Sequence, residues 1–145
     1  NSSRSPPLSA EFNMSRRVQF AETDAAGVLH FSNYYRYMEE VEHAFWRSLG
    51  LSVIHNHSDT VISWPRVATS CEYFAPAYFE EELVLHFGIS SLGESSLSYE
   101  VVFQRGEGRI ALGKTTAVCC MMEGGTFRAV RVPDTIRSKL ADFVT

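Results

Sequence analysis

Apolar residues recur along this chain with two different periods. Between positions 34 and 49, Tyr34, Tyr37, Met38, Val41, Ala44, Phe45 and Leu49 fall at the three- and four-residue spacing of one helical face. Glu39, Glu40, Glu42 and Arg47 take the other side. Ser32 or Asn33 is placed to cap the start, and Gly50 stands where a helix end favours glycine. The spacing predicts one long helix with a single buried face.

Ahead of it, Arg16 to Phe20 reads as a strand, followed by a polar loop from Ala21 to Ser32. Beyond Asp59 the period shortens to two. Arg66 to Phe74, Glu82 to Ser91, Ser95 to Arg105 and Arg109 to Met122 predict strands. Leu92-Gly93-Glu94 and Gly106-Glu107-Gly108 suit hairpins between antiparallel neighbours. Pro133 to Val144 predicts a short helix, with Pro133 in its first turn. The order of one strand, one long helix and a run of strands is α+β with an antiparallel sheet. A curved sheet wrapped around the helix buries its apolar face. Such a sheet leaves open edges, so pairing between subunits is expected.

The chain has 145 residues, the size of one domain, and needs neither disulfide nor metal to hold it. A flexible N-terminal extension is expected over residues 1–13 and the domain over 14–145, since Asn1 to Asn13 is rich in Ser and Pro. Thirteen Lys and Arg against seventeen Asp and Glu leave a net charge of −4, which argues against a nucleic-acid surface. No apolar run reaches the ~20 residues that span a bilayer, and the first residues lack a signal-peptide core. Cys71, Cys119 and Cys120 are odd in number and read as reduced thiols of a cytoplasmic protein. His55, His57 and Asp59 fall in a predicted loop without a further fixed ligand, so no metal is expected.

The chemistry-bearing segment runs from Phe20 to Tyr34. Its loop carries Glu22 and Asp24, then small residues and Gly27, and ends at the start of the long helix. A helix N-terminus holds unpaired amides and about half a positive charge. Directed at a carbonyl, it stabilises the oxyanion of acyl transfer, and a nearby carboxylate can attack or activate water. Acidic residues ahead of a helix also serve as plain caps and dipole partners. His43 reads as a helix-face histidine, Glu72 as a solvent-facing strand residue, and most of the helix aromatics as core. Part of that aromatic set, or Trp64, can line an acyl pocket.

The stretch Val18-x-Phe20-x-Glu22-Thr23-Asp24-Ala25-Ala26-Gly27-Val28-x-x-Phe31-Ser32-Asn33-Tyr34 resembles the opening motif of the 4-hydroxybenzoyl-CoA thioesterase family. Cys71-Glu72-Tyr73-Phe74-x-Pro76-Ala77, Glu82-Leu83 and Leu92-Gly93-x-Ser95-Ser96-Leu97 agree more loosely. The resemblance implies a hot-dog fold, an antiparallel β-sheet wrapped around one long central α-helix, and hydrolysis of an acyl-CoA to acid and CoA. It implies Asp24 as nucleophile or general base and the Phe31 backbone N–H as the donor to the thioester carbonyl. Gly27, His30, Ser32, Asn33, Tyr34, Ser95 and Ser96 are the implied substrate contacts. Phe31 stands where one branch of the family has a His, which leans the substrate towards aromatic or naphthoyl-type acyl groups beside short or medium ones. Glu94 replaces basic residues found in some relatives, leaving Arg105, Arg109, Lys114 and Arg128 as candidate phosphate contacts. The family's site lies between subunits, so a homodimer or a tetramer of two dimers is expected, with acyl-CoA as ligand and no cofactor. The rival readings are a hot-dog enoyl-CoA hydratase or dehydratase, with His30 as the partner base, and a non-catalytic acyl-CoA-binding module.

Overall fold

The computed structural model describes residues 11–57 and 60–145. Strand β1 (Phe12–Arg17) leads through a 3-10 turn (Phe20–Glu22) to helix α1 (Ser32–Ser48). Nine strands occur among the described residues: β2 (His55–His57), β3 (Thr60–Ser63), β4 (Arg66–Tyr73), β5 (Glu82–Leu92), β6 (Ser96–Arg105), β7 (Gly108–Val118), β8 (Cys120–Glu123) and β9 (Thr126–Ala129) follow β1. Helix α2 (Asp134–Ala141) ends the order. β1 starts at Phe12, two residues ahead of the boundary drawn at Met14, and pairs Phe12 with Phe87 of β5. The first ten residues of the expected extension lie outside the described residues.

The main sheet has the order β1-β5-β6-β7-β4, and every pairing in it is antiparallel. α1 lies against its inner face. The alternation of β5 and β6 puts Leu83, Leu85, Phe87, Ile89, Leu97, Tyr99, Val101 and Phe103 on that face, all buried. Phe45 of α1 stacks on Phe87 at 4.5 Å and meets Phe12 and Phe143 edge-on. The helix seats closely because β7 has Gly113 beneath it. A Cβ there would collide with the Met38 thioether.

Two expectations change on the helix. Glu42, assigned to the polar side, is 1% exposed. It accepts from Trp46 Nε1 at 3.1 Å and from the Tyr99 hydroxyl at 2.9 Å, and it pairs with Arg66. A buried charge persists only with such partners, which periodicity alone does not reveal. The helix also begins without a side chain of Ser32 or Asn33 at its cap. Phe31 holds that place in helical conformation, and the Ser32 amide donates to His30 Nδ1 at 3.2 Å.

The predicted strand Arg109 to Met122 is two strands in two sheets. The Cys119 amide donates to the Ser95 carbonyl at 2.7 Å, and the Cys119 carbonyl accepts from the Val130 amide at 2.9 Å. Its backbone therefore leaves the β6–β7 ladder. The chain crosses into a second antiparallel sheet ordered β2-β3-β8-β9. Cys119 and Cys120 are both buried, so the apolar pattern runs through the break and hides it. The last helix starts at Asp134, with Pro133 as its cap rather than in its first turn.

Candidate active site

The loop between β1 and α1 is built by its own backbone. Thr23 and Leu29 form an antiparallel bridge. Inside it the Asp24 amide donates to the Val28 carbonyl and the Gly27 amide to the Asp24 carbonyl, both at 2.9 Å. Gly27 turns the chain at φ +83°, a conformation that a side chain disfavours. Asp24 Oδ1 accepts from the Ala26 amide at 2.9 Å and the Val28 amide at 3.4 Å. Oδ2 has no protein partner among the described residues. Asp24 is half-buried.

The loop is tied to its surroundings by main-chain bonds. The Leu29 amide donates to the Ala77 carbonyl at 2.8 Å, and the His30 amide and the Asn33 side-chain amide both donate to the Glu22 carbonyl at 2.9 Å. At the helix start the Ser32 amide reaches His30 Nδ1, the Asn33 amide the His30 carbonyl, and the Tyr34 amide the Phe31 carbonyl. The Phe31 amide is left without an acceptor among the described residues, while its ring is 62% exposed and stacks on His30 at 4.6 Å.

The two carboxylates of the loop face different surroundings. Glu22 accepts from the Tyr37 hydroxyl at 2.6 Å, the Gln19 amide at 2.9 Å and both terminal nitrogens of Arg16. Burial alone would raise its carboxyl, but the bonds from Tyr37, Arg16 and Gln19 outweigh burial and hold it below the usual range. Arg16 also grips Glu40 at 2.7 Å and lies 4.3 Å over the Tyr37 ring. Glu22 thus fastens the loop to β1 and α1, leaving Asp24 as the loop carboxylate with a free oxygen.

The other expected contacts divide. Gly27, His30, Ser32 and Asn33 lie on the loop and the first turn, with the His30 ring committed to Ser32 through Nδ1 and Oγ at 2.8 Å. Tyr34 is 3% exposed, packed between Tyr73 and Phe103, and burial pushes its hydroxyl up to about 12. Ser95 and Ser96 are at the far end of the main sheet. β1 delivers the Asp24 loop where Arg17 pairs with Glu82, and the β5–β6 hairpin lies ten residues along β5, about 30 Å at ~3.3 Å per residue. One chain therefore does not bring them to Asp24. Among the candidate cations, Arg105 is held by the Pro76 carbonyl and Glu81, and Arg128 by Glu123. Arg36, absent from the sequence expectations, lines a polar cleft of about 580 Å³ with Gln19, Glu22, Ser32 and Asn33. Only its place three and four positions ahead of Glu39 and Glu40, on the polar side of the helix, hinted at that role.

A family model described as the thioesterase-like superfamily matches residues 18–140. A putative esterase of Aquifex aeolicus is 31% identical over 127 residues, spanning 88% of this chain and 95% of that protein. A 1,4-dihydroxy-2-naphthoyl-CoA hydrolase of Thermosynechococcus vestitus is 28% identical over 109 residues, 74% of each chain. The solved structure of a gentisyl-coenzyme A thioesterase superposes with a TM-score of 0.72 at 27% identity, covering 89% of this chain and 98% of that one. The antiparallel sheet with one long helix is the hot-dog architecture, and the molecule is a hot-dog thioester hydrolase. The chain belongs to the thioesterase-like superfamily.

Proposed function

We propose that the protein hydrolyses acyl-CoA thioesters, with Asp24 as nucleophile or general base and the Phe31 amide as donor to the developing oxyanion. One observation carries this reading. Asp24 Oδ1 is taken by the Ala26 and Val28 amides, whereas Asp24 Oδ2 and the Phe31 N–H at the helix start have no partner among the described residues. An open acceptor and an open donor at a helix N-terminus are what attack on a thioester carbonyl uses. The named naphthoyl-CoA and gentisyl-CoA relatives support a CoA ester, and aryl or short to medium acyl groups are the substrates to try. The membership expected in the 4-hydroxybenzoyl-CoA branch rests on the motif through Tyr34. The hydratase reading would have to use His30 through Nε2, because its Nδ1 is engaged at Ser32.

The same reading makes the working unit a homodimer. β4 is the free edge of the main sheet beside β7, and seven of its eight residues are exposed, Val67 at 62% and Tyr73 at 44%. Phe31 and Tyr35 add exposed apolar surface. A second copy across this edge would cover it, and a partner subunit is a route by which Ser95 and Ser96 could join a site at Asp24. A monomeric mass by light scattering at micromolar concentration counts against this.

Asp24→Asn tests the chemistry cleanly, since the amide oxygen can still accept from Ala26 and Val28. Thiol release from a panel of acyl-CoAs is expected to fall by at least ~10³ while the fold keeps its stability. Hydrolysis within about threefold of the parent removes Asp24 from the mechanism.

A further inference from the structure

The Asp24 loop has two arms that its main chain ties together. Thr23 and Leu29 bridge them, with the Asp24 amide on the Val28 carbonyl on one side of that bridge and the His30 amide on the Glu22 carbonyl on the other. These bonds fix Asp24 relative to His30. They do not fix the peptide that follows. Phe31 stands at the cap of α1, so the direction of its N–H changes with the way the helix leaves the second arm.

Bonds made within the helix start leave that direction open as well. The Ser32 amide meets His30 Nδ1, the Asn33 amide the His30 carbonyl and the Tyr34 amide the Phe31 carbonyl, and all three move with the turn. Two side chains of α1 cross to the first arm, both to Glu22. The Tyr37 hydroxyl donates to the carboxylate at 2.6 Å, at the end of a side chain with rotamers of its own. Asn33 Nδ2 instead donates to the Glu22 carbonyl at 2.9 Å. A carbonyl only accepts, so the NH2 of Asn33 is the group that faces it. Among the described residues, no other side chain of α1 bonds to the main chain of the arm that carries Asp24. The Asn33 side-chain nitrogen is thereby engaged inside the protein, although the motif places Asn33 among the substrate contacts.

We propose that Asn33 is a positioning residue: its side-chain amide, held on the Glu22 carbonyl, keeps the Phe31 N–H in register with Asp24 and touches no substrate. This rests on the thioesterase reading for the reaction, and it gives Asn33 a part in that reaction other than binding. Without the bond the helix start turns about His30, and a donor misplaced by about 1 Å costs roughly 10²-fold in rate. The fold changes little, because the Glu22 carbonyl keeps the His30 amide and no acceptor is left open.

The test compares the whole chain with Asn33→Ala and with Asn33→Asp, which keeps the size but, ionised at pH 7, loses the donor. On an acyl-CoA that the wild type hydrolyses, kcat is expected to fall about 10- to 100-fold in both, with KM within about threefold. The melting temperature is expected to stay within about 4 °C. Hydrogen exchange at the His30 amide reads the same clamp without substrate, and is expected to quicken about tenfold in Asn33→Ala. A KM raised beyond about threefold shows that Asn33 touches the substrate and overturns the proposal. A kcat within about threefold of the parent in both variants overturns it too. So does a melting temperature lowered by more than about 10 °C in both, because Asn33 then only supports the fold. An unchanged exchange rate overturns it whatever the kinetics. If the wild type hydrolyses no acyl-CoA tried, the thioesterase reading fails, and exchange alone decides the positioning: a tenfold quickening upholds it, and no change overturns it.

Discussion

Replacing Glu22 with Gln is expected to weaken the fold with a definite pH signature. The parent carboxylate receives four hydrogen bonds: the Tyr37 hydroxyl at 2.6 Å, the Gln19 amide at 2.9 Å, and Arg16 Nη1 and Nη2 at 3.2 and 2.5 Å. The Glu22 side chain is 16% exposed, so solvent screens it only in part. Breaking a buried ion pair from one side costs ~3–5 kcal/mol. Arg16 keeps Glu40 in the variant, and glutamine keeps one acceptor oxygen. The expected loss is therefore smaller, about 2 kcal/mol at pH 7. The sign of the pH dependence follows from the depressed carboxyl. Its ordinary value is 4.5, and hydrogen bonding in the fold holds it lower. The stabilisation is thus complete above the unfolded value and is lost as pH falls through the folded one. Urea denaturation of parent and variant at pH 7, 5 and 3.5 measures the gap. It should be full at pH 7 and 5 and begin to close by pH 3.5. A gap below about 0.5 kcal/mol at pH 7, or one that ignores pH, refutes the assignment of Glu22 as the loop's ionised anchor.

Gly27→Ala meets no atom within 4 Å, so its cost is conformational: φ +83° disfavours a Cβ by about 1 kcal/mol, which lowers Tm by ~2–4 °C and should reduce thioester turnover by disturbing the Asp24 turn. Burial pushes the Cys71 and Cys119 thiols up to about 11, so at pH 8 roughly one in a thousand is ionised. Iodoacetamide should label both far more slowly in the folded protein than in urea, followed by peptide mass. Equal rates would mean that the fold does not shield these thiols, one half-buried and one buried.

The long helix was legible because a single period ran uninterrupted from Tyr34 to Phe45, and the hairpins because glycines marked their turns. The second sheet was not. Its strands β2, β3, β8 and β9 are three or four residues long, too short for a period to declare itself, and β8 follows β7 without a polar break. Glu42 was misplaced for a related reason. A helical pattern ranks positions by side-chain type, and nothing local announces that Tyr99, 57 positions later, supplies a buried hydrogen bond. The loop motif singled out Asp24 but gave Glu22 and Asp24 the same appearance. Only the convergence of Arg16, Tyr37 and Gln19 separates an anchored carboxylate from an available one.

That separation also bears on why the loop holds its shape. A turn bearing a half-buried carboxylate holds its shape through main-chain bonds and through amides that meet the charge. Here Ala26 and Val28 occupy one oxygen of Asp24, and the Glu22 carbonyl takes the His30 amide and the Asn33 side chain. Glu22 therefore acts twice: its carboxylate locks the 3-10 turn to β1 and α1, and its carbonyl locks the helix start to the same turn. Both ends of the Asp24 loop are fixed to one residue. A carboxylate on so short a tether keeps its place relative to the Phe31 amide without a bound ligand, which is the pre-organisation that the proposed attack on a thioester would use.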